Sequence, residues 1–315
     1  MRAIVISAQG GPEVLEYVQR PDPVPGEGEV VVDVAASGVN FIDVYHRSGA
    51  YQLPLPSLIG SEGAGVVSAV GEGVSDVAVG DTVAWANVLG SYAEKAVIPA
   101  ERAAPVPDGV TAELAAATML QGMTAHYLTR STHEVKPGDN VLVHAGAGGM
   151  GQLLIQLAKL RGATVHTTVS SEEKAKIARE AGADEVLSYE DFAGKLRHRI
   201  DVVYDGVGAA TFDGSLEALR PRGLMALYGA ASGPVPPVDP QRLNKGGSLF
   251  LTRPTLLHYI ADRDELLWRA SDLFGWIASG DLKINISRRY PLAEAGRAQE
   301  DLAARRTTGK LLLIP

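Results

Sequence analysis

The pattern of hydrophobic and polar positions divides the chain into two parts. Before residue 110, short apolar runs are separated by glycine and proline, as in EVVVDVAASGV (29–39), GAGVVSAVG (63–71) and DTVAWANV (81–88). Runs of this kind, bounded by turn residues, predict β-strands. Because no long helical pattern lies between them, we predict a compact, barrel-like β domain.

From Thr111 the apolar spacing becomes helical and then alternates with predicted strands. TAELAAATMLQGMTAHYLTRS predicts a helix with Thr111 as its N-cap, and KPGDNVLVHAG predicts a turn followed by a buried strand. MGQLLIQLAKLRG predicts a helix that Gly162 ends, and the alternation continues as far as GLMALYGAASG (223–233). Strands and helices in turn, joined by short glycine-marked links, predict an α/β doubly wound fold with a parallel sheet.

Length, charge and cysteine content narrow the function classes. The 315 residues suffice for two domains. The 37 acidic residues outnumber the 29 lysines and arginines, which argues against non-specific nucleic-acid binding. The absence of cysteine excludes disulfides, thiolate nucleophiles and cysteine-ligated zinc. Because the chain shows neither a membrane-spanning apolar run nor a signal-peptide pattern, we expect a soluble, cytoplasmic protein.

A glycine-rich loop is the strongest motif. The segment from Gly146 to Gly151, GAGGMG, fits G-x-G-x-x-G and lies between a predicted strand and a predicted helix. Gly148 would let the backbone approach a pyrophosphate, and a helix beginning near Met150 would direct its free N–H groups at that charge. The alternative is a tight strand-to-helix turn that binds no ligand.

Several segments together resemble one family. GDNVLVHAGAGGMGQLLIQLAK (138–159) resembles the signature segment of the quinone oxidoreductase and zeta-crystallin branch of the medium-chain dehydrogenase/reductase superfamily. GVNFIDVYHRSGAY, VVYDGVG, GSLFLTRP and RYPLAEAGRAQE through LLLIP are similar to bacterial NADPH:quinone oxidoreductases, in order and at family-like spacing. The likeness covers nearly the whole chain.

The resemblance implies a domain organisation and an oligomeric state. It implies a Rossmann-type NADPH-binding domain, residues 122–257, inserted in a β-rich, GroES-like substrate domain formed by residues 1–121 and 258–315. In similar proteins the edge strand at SLFLTRP (248–254) pairs with a second subunit, which would cover an apolar sheet edge. We therefore expect a homodimer.

The residues after the predicted second strand of the α/β domain favour NADPH over NADH. NAD sites usually carry an acidic residue there, whereas this strand ends in Ser170 and Ser171, with Lys174 close behind. Two hydroxyls and an ammonium suit a 2′-phosphate. Glu172 and Glu173 oppose that argument unless they are first-turn residues favoured by the helix dipole.

Further cofactor positions follow from the glycine loop, from the carboxyl ends of the predicted strands, and from the resemblance. Lys174 matches a family lysine, and Tyr189 matches a tyrosine against the adenine end of the cofactor. The remaining predicted cofactor residues are Thr124, Gly148, Gly149, Met150, Val207, Gly208, Tyr228, Gly229, Phe250, Thr252 and Arg253.

The sequence predicts chemistry without zinc. Zinc-dependent relatives carry G-H-E where this chain has Gly60-Ser61-Glu62, and the seven histidines fall in no metal-binding spacing. The substrate must then accept hydride readily, as quinones and electron-poor double bonds do, and the protein needs mainly to hold it in a dry cleft.

Candidate catalytic residues come from GVNFIDVYHRSGAY. The resemblance places Asn40 and Tyr45 beside the nicotinamide and Tyr51 in the pocket lining, with the proton coming from Tyr51 or solvent. Asp43 and Arg47, four residues apart, are predicted to form an ion pair or a cap.

The leading hypothesis is an NADPH-dependent, zinc-free quinone reductase. An NADPH-dependent enone or enoyl reductase, acting on alkenals for example, would use the same fold with a differently shaped pocket. A non-catalytic, crystallin-like NADPH-binding protein is the alternative from another class. We expect neither a membrane nor a specific nucleic acid as a partner.

Overall fold

The computed structural model describes residues 1–315, and the chain folds into two units. The first unit comprises Met1–Met123 and Tyr259–Pro315, and the second comprises Thr124–His258. The second unit is therefore inserted in the sequence of the first.

Strands and α-helices are numbered separately in chain order. The strands are β1 (Arg2–Ile6), β2 (Leu15–Gln19), β3 (Glu29–Val39), β4 (Ser57–Leu58), β5 (Glu62–Val70), β6 (Thr82–Ala86), β7 (Lys95–Pro99), β8 (Ala104–Pro105), β9 (Asn140–Val143), β10 (Thr164–Thr168), β11 (Glu185–Leu187), β12 (Ile200–Asp205), β13 (Leu219–Leu227), β14 (Phe250–Thr252), β15 (Ile286–Pro291) and β16 (Lys310–Ile314). The helices are α1 (Phe41–Ser48), α2 (Ala112–Tyr127), α3 (Gly149–Leu160), α4 (Glu172–Glu180), α5 (Phe192–Lys195), α6 (Phe212–Ala218), α7 (Gln241–Lys245), α8 (Leu256–Tyr259), α9 (Arg263–Ser279) and α10 (Ala295–Ala303).

The first unit is built around β3, its longest strand. β3 pairs antiparallel with β5, β7 and β16, and it belongs to a seven-stranded sheet ordered β15-β16-β3-β5-β6-β8, with β7 joined to β3. Alternate valines of β3, Val30 and Val32, are buried against Trp85 and Ile98, as expected for a strand with one face on a core. A second sheet, β2-β1-β4, completes the predicted β-rich domain.

The second unit contains the predicted parallel sheet. Its six strands follow the order β11-β10-β9-β12-β13-β14, and every neighbouring pair is parallel. This is the strand order of dinucleotide-binding folds, in which the chain changes direction between β9 and β12. Ligands bind beyond the carboxyl ends of the strands at such a switch point, so the residues that follow β9, β10 and β12 form the edge of interest.

Local sequence explains where the key helices begin and end. Thr111 is the predicted N-cap of α2, and its hydroxyl accepts a hydrogen bond from the Leu114 N–H at 3.2 Å. Beyond Leu160 the chain turns at Gly162, whose φ of 80° lies in the left-handed region that glycine tolerates. No helix in the structure combines the length and the apolar character needed to cross a bilayer.

Candidate active site

The glycine loop joins β9 to α3 by a tight, hydrogen-bonded turn. Ala145 has a φ of 58°, and the Gly146 N–H donates to the Thr168 carbonyl at 3.1 Å. The Gly148 N–H donates to the Ala145 carbonyl at 2.9 Å, and Gly148 is the N-cap of α3. The helix therefore begins at Gly149, one residue before the predicted start.

The glycines of the loop differ in how much space surrounds them. A Cβ on Gly146 would collide with the Thr167 side chain, and a Cβ on Gly151 would collide with the Ala145 carbonyl. A Cβ on Gly148 would come within 3.2 Å of that same carbonyl and would meet nothing closer. The first and last glycines are thus required by packing, whereas Gly148 leaves the open side of the helix N-terminus free for an anion.

Three residues predicted to recognise a 2′-phosphate lie together at the end of β10. The Lys174 ammonium donates to the Ser170 hydroxyl at 3.2 Å, and the Ser171 hydroxyl caps α4 by accepting from the Lys174 N–H at 3.3 Å. Glu172 forms a salt bridge with Arg179 at 2.6 Å, which offsets part of the negative charge that opposed this assignment. The exposed serine hydroxyls and the ammonium suit a phosphate dianion.

The turn after β12 groups four more of the predicted cofactor residues. Asp205 accepts hydrogen bonds from the N–H groups of Val207, at 2.8 Å, and Gly208, at 2.9 Å. The Asp205 carbonyl accepts from the N–H of Tyr228 at 2.9 Å, and Gly229 packs against the backbone of the same turn. Burial raises the pKa of Tyr228, with a smaller contribution from the Asp205 carboxylate, so its hydroxyl stays protonated.

Other predicted cofactor residues lie on β14, just beyond it, and on α2. Phe250 and Thr252 belong to β14, the edge strand of the sheet, where the Phe250 side chain is 60% exposed. Arg253 is exposed just beyond that strand and donates to the Pro254 carbonyl at 3.2 Å. Thr124 is buried within α2.

Tyr45 and Tyr51 form an aromatic cluster in the first unit. Their ring centroids are 5.2 Å apart, and the Tyr51 N–H donates to the Tyr45 carbonyl at 3.0 Å. Phe41 lies 6.3 Å from the Tyr45 ring, and His46 lies 6.1 Å from the Tyr51 ring. Tyr51 is 42% exposed, so part of its side chain lies at the surface of the unit.

The Asn40 side chain is buried and engaged in a charged cluster. Its Nδ2 donates to Glu62 Oε2 at 2.8 Å and to the Gly38 carbonyl at 3.3 Å, while its Oδ1 accepts from Lys310 Nζ at 2.8 Å. Lys310 and Glu62 form a buried salt bridge of 2.5 Å. Both amide hydrogens of Asn40 are thus committed inside the unit.

Sequence reasoning missed Glu62 and Lys310. Each residue stands out in its own segment, because Glu62 follows Ser61 in the G-S-E segment and Lys310 is a charged residue at the start of the apolar run KLLLIP. Nothing in either segment indicates that the two residues pair. The two residues are 248 positions apart, and strand pairing brings them to either side of Gly38. A Cβ at Gly38 would collide with the Glu62 carboxylate and the Lys310 side chain, so this glycine makes room for the salt bridge.

The donor set around Ser61 does not fit a zinc ion. Serine occupies the place of the histidine of zinc-dependent relatives, and its hydroxyl donates to Asp43 at 2.9 Å. The neighbouring Glu62 is already paired with the Lys310 ammonium. The structure contains no group of three or more His, Asp or Glu side chains arranged to hold a metal. These residues supply a buried ammonium where a metal would need ligands.

Asp43 is a buried capping residue, so of the two predicted alternatives, an ion pair with Arg47 or a cap, the structure has the cap. Its carboxylate accepts from the Asn40 N–H, at 2.9 Å, and from the Tyr92 hydroxyl, at 2.9 Å. Burial raises the pKa of Asp43 to about 6, although its hydrogen-bond donors oppose that shift. Arg47 is buried, and its Nε and Nη1 atoms have no hydrogen-bond partner. The N-terminal cap of α1 competes for the carboxylate that the four-residue spacing had assigned to Arg47.

Comparisons with known proteins find relatives along the whole chain. Residues 26–108 match the family described as "Alcohol dehydrogenase GroES-like domain", and residues 149–265 match "Zinc-binding dehydrogenase". A quinone oxidoreductase of Pseudomonas aeruginosa is 48% identical, with 100% of this chain and 99% of the relative covered. A 2-haloacrylate reductase from a Burkholderia species is 42% identical, with 99% and 98% covered. The crystal structure of Escherichia coli quinone oxidoreductase complexed with NADPH is 44% identical, covers 100% of both chains and has a TM-score of 0.98.

Proposed function

Since the chain belongs to the quinone oxidoreductase branch of the medium-chain dehydrogenases/reductases, we propose that it reduces quinones by hydride transfer from NADPH without zinc. The observation that carries the proposal is the full-length likeness to quinone oxidoreductases, one of them solved with NADPH. The glycine loop and the Ser170–Lys174 pair support the same cofactor on physical grounds.

Each group of residues has a role in this proposal. NADPH supplies the hydride. The N–H groups that open α3 bind the diphosphate, because they have no acceptor within the helix and lie at its positive end. Ser170 and Lys174 bind the 2′-phosphate. Tyr45 and Tyr51 stack on the acceptor, and the proton comes from the Tyr51 hydroxyl or from solvent.

A second candidate activity is the reduction of an activated carbon–carbon double bond. It is favoured by the 42% identity to a 2-haloacrylate reductase over nearly the whole of both chains. An electron-poor alkene, like a quinone, accepts hydride without a metal, so the two activities differ only in the shape of the acceptor pocket.

Steady-state oxidation of NADPH with different acceptors separates the two activities. The acceptors are 1,4-benzoquinone, 9,10-phenanthrenequinone and an alkenal, assayed with the same enzyme preparation. We expect kcat/KM to be higher for at least one quinone than for the alkenal. Turnover of the alkenal alone would refute the quinone assignment.

Lys174→Ala tests the choice of nucleotide. Removing the ammonium should raise the KM for NADPH about tenfold, because a charge-assisted contact to the 2′-phosphate is lost. The KM for NADH should stay nearly unchanged, since NADH carries no such phosphate. Lys176→Ala is the matched control, because Lys176 lies on the same helix and pairs with Glu180 at 4.0 Å. Equal effects of Lys174→Ala on both nucleotides would contradict the assignment.

The same proposal includes a homodimer formed through β14. This strand pairs on one side only, with β13, and Phe250 is 60% exposed on it. The unpaired edge of a strand, with an exposed aromatic side chain, is a template for pairing with another chain. A second copy of this protein offers the same edge.

A further inference from the structure

Four buried polar side chains connect the carboxyl ends of three neighbouring strands in the second unit. His144 follows β9, Thr168 ends β10, Asp205 ends β12, and Ser215 lies on α6; each is at most 1% exposed. His144 Nδ1 lies 2.8 Å from Thr168 Oγ1, and His144 Nε2 lies 2.9 Å from Ser215 Oγ. Ser215 Oγ in turn lies 3.0 Å from Asp205 Oδ2.

The hydrogen bonds among these four side chains run in one direction. Ser215 Oγ donates its single hydroxyl hydrogen to Asp205 Oδ2. His144 Nε2 must then carry the hydrogen that Ser215 Oγ accepts. Burial lowers the pKa of His144 and keeps the imidazole neutral, so Nδ1 is unprotonated and accepts from the Thr168 hydroxyl.

Both ends of this hydrogen-bonded series of side chains reach the backbone of loops assigned to the cofactor. At one end, Thr168 Oγ1 accepts from the N–H of Ala145, at 3.4 Å, where the glycine loop begins. At the other end, Asp205 Oδ1 accepts from the N–H groups of Val207 and Gly208. A backbone hydrogen bond from the His144 N–H to the Tyr204 carbonyl, at 3.2 Å, joins the ends of β9 and β12, and the side-chain hydrogen bonds extend that link into the two loops.

The same residue types form a catalytic triad in other proteins, but the order differs here. In a triad the histidine lies between the serine and the acid, and removes the serine proton. In this structure the serine lies between His144 and Asp205 and donates to the acid. Ser215 is also fully buried, so the group contains no accessible nucleophile.

We propose that these four residues are positioning residues, and that neutral His144, protonated on Nε2, holds the glycine loop and the turn at 205–208 in fixed register so that they receive one dinucleotide together. The proposal rests on the NADPH-binding function. It extends that function to side chains that touch neither the cofactor nor the acceptor.

The tautomer of His144 is a test that needs no cofactor. Nitrogen-15 NMR of the imidazole rings distinguishes a protonated ring nitrogen from an unprotonated one. In the cofactor-free enzyme we expect the Nε2-protonated form. Asp205→Asn should reverse it, because the new amide donates to Ser215 and turns the serine hydrogen towards His144. An unchanged tautomer in that variant would overturn the directional chain.

Cofactor affinity tests the positioning role. Asp205→Asn should raise the Kd for NADPH about tenfold or more, because a neutral amide oxygen holds the N–H groups of Val207 and Gly208 less strongly than the carboxylate does. The Kd for 2′,5′-ADP, which lacks the diphosphate bridge and the nicotinamide, should change less than about twofold. Asp201→Asn is the matched control. Asp201 is the second residue of the same strand and pairs with Arg220, so this substitution should leave both affinities unchanged.

A second variant keeps the test available if Asp205→Asn does not fold. Thr168→Val preserves side-chain volume but removes the hydroxyl that joins His144 to the glycine loop. We expect the Nε2-protonated tautomer to persist, because Ser215 is untouched, and the NADPH Kd to rise about fivefold or more. A wild-type NADPH Kd in Thr168→Val, or in an Asp205→Asn protein whose His144 tautomer is reversed, would overturn the positioning role. A wild-type enzyme that bound no NADPH would refute the proposed function instead, and would leave the tautomer result standing.

Discussion

Asp43 is a single carboxylate whose burial makes stability depend on pH. Its pKa in the folded protein is raised to about 6 from an ordinary value of 3.8. Between these values the folded chain binds more protons than the unfolded chain, so the contribution of this group to stability falls as pH rises through that window. The shift corresponds to about 3 kcal/mol, incurred in full above pH 6.

Asp43→Asn should remove this pH dependence. The free energy of unfolding of the wild type, minus that of the variant, should fall by about 2 kcal/mol between about pH 4.5 and about pH 7. Urea unfolding at the two pH values measures it. Parallel pH profiles for the two proteins would show that Asp43 titrates in its ordinary range.

Lys310 is the second residue whose burial has a measurable consequence. Lys310→Met would leave the Glu62 carboxylate buried without its cation, which should cost about 3–5 kcal/mol in the free energy of unfolding. Adding Glu62→Gln should recover a substantial part of that loss, because the uncompensated charge is removed.

An exposed salt bridge supplies the control for Lys310. Lys95→Met breaks the Lys95–Asp33 pair, which has a similar distance of 2.6 Å but an Asp33 side chain that is 54% exposed. Its loss should cost less than about 1 kcal/mol. Equal losses for the two lysine variants, measured by urea unfolding, would contradict the difference in burial.

At the scale of elements, the glycine loop separates folding from binding. Gly151→Ala places a methyl group against the Ala145 carbonyl. This should destabilise the fold by about 1–3 kcal/mol, despite the better helix propensity of alanine. Gly148→Ala suits the backbone φ of −72° but brings its Cβ to 3.2 Å from the Ala145 carbonyl, so it should change stability by only about 1 kcal/mol. It should nevertheless raise the NADPH Kd about tenfold, because its methyl group occupies the diphosphate side. Thermal unfolding and NADPH titration of both variants provide the measurement, and a stable Gly151→Ala protein would contradict the packing role.

At the scale of the whole molecule, the exposed edge of the parallel sheet predicts the oligomeric state. Phe250→Asp should convert the proposed homodimer into monomers, because it places a charge on the strand through which two copies would pair. Val79→Asp is the control, since Val79 has the same 60% exposure in the other unit. Light scattering coupled to size-exclusion chromatography measures both. A monomeric wild type at assay concentrations would refute the dimer.

The periodic parts of the sequence were sufficient to predict the fold class. Strand–helix alternation from Thr111 onward and the valine-rich runs before it correspond to the parallel sheet and the β-rich sheets of the structure. The position of the glycine loop between β9 and α3 could also be predicted from neighbouring residues alone. The same holds for the turn at Gly162 that follows the helix. Side-chain spacing of two or nearly four residues is a property of neighbouring positions, so it can be read along one strand or helix.

The sequence by itself determined the local elements, the loop that suits a diphosphate and the serine–lysine pair that suits a phosphate. Only the tertiary structure decided that Asn40 is bound by Glu62 and Lys310, that Asp43 caps α1 and forms no ion pair with Arg47, and that His144 is joined to Asp205 through Ser215. These contacts join residues from different strands and helices, or depend on which partner wins a buried carboxylate. Their physical reason is that strand order and burial bring distant positions together, and neither is contained in the spacing of residues along the chain.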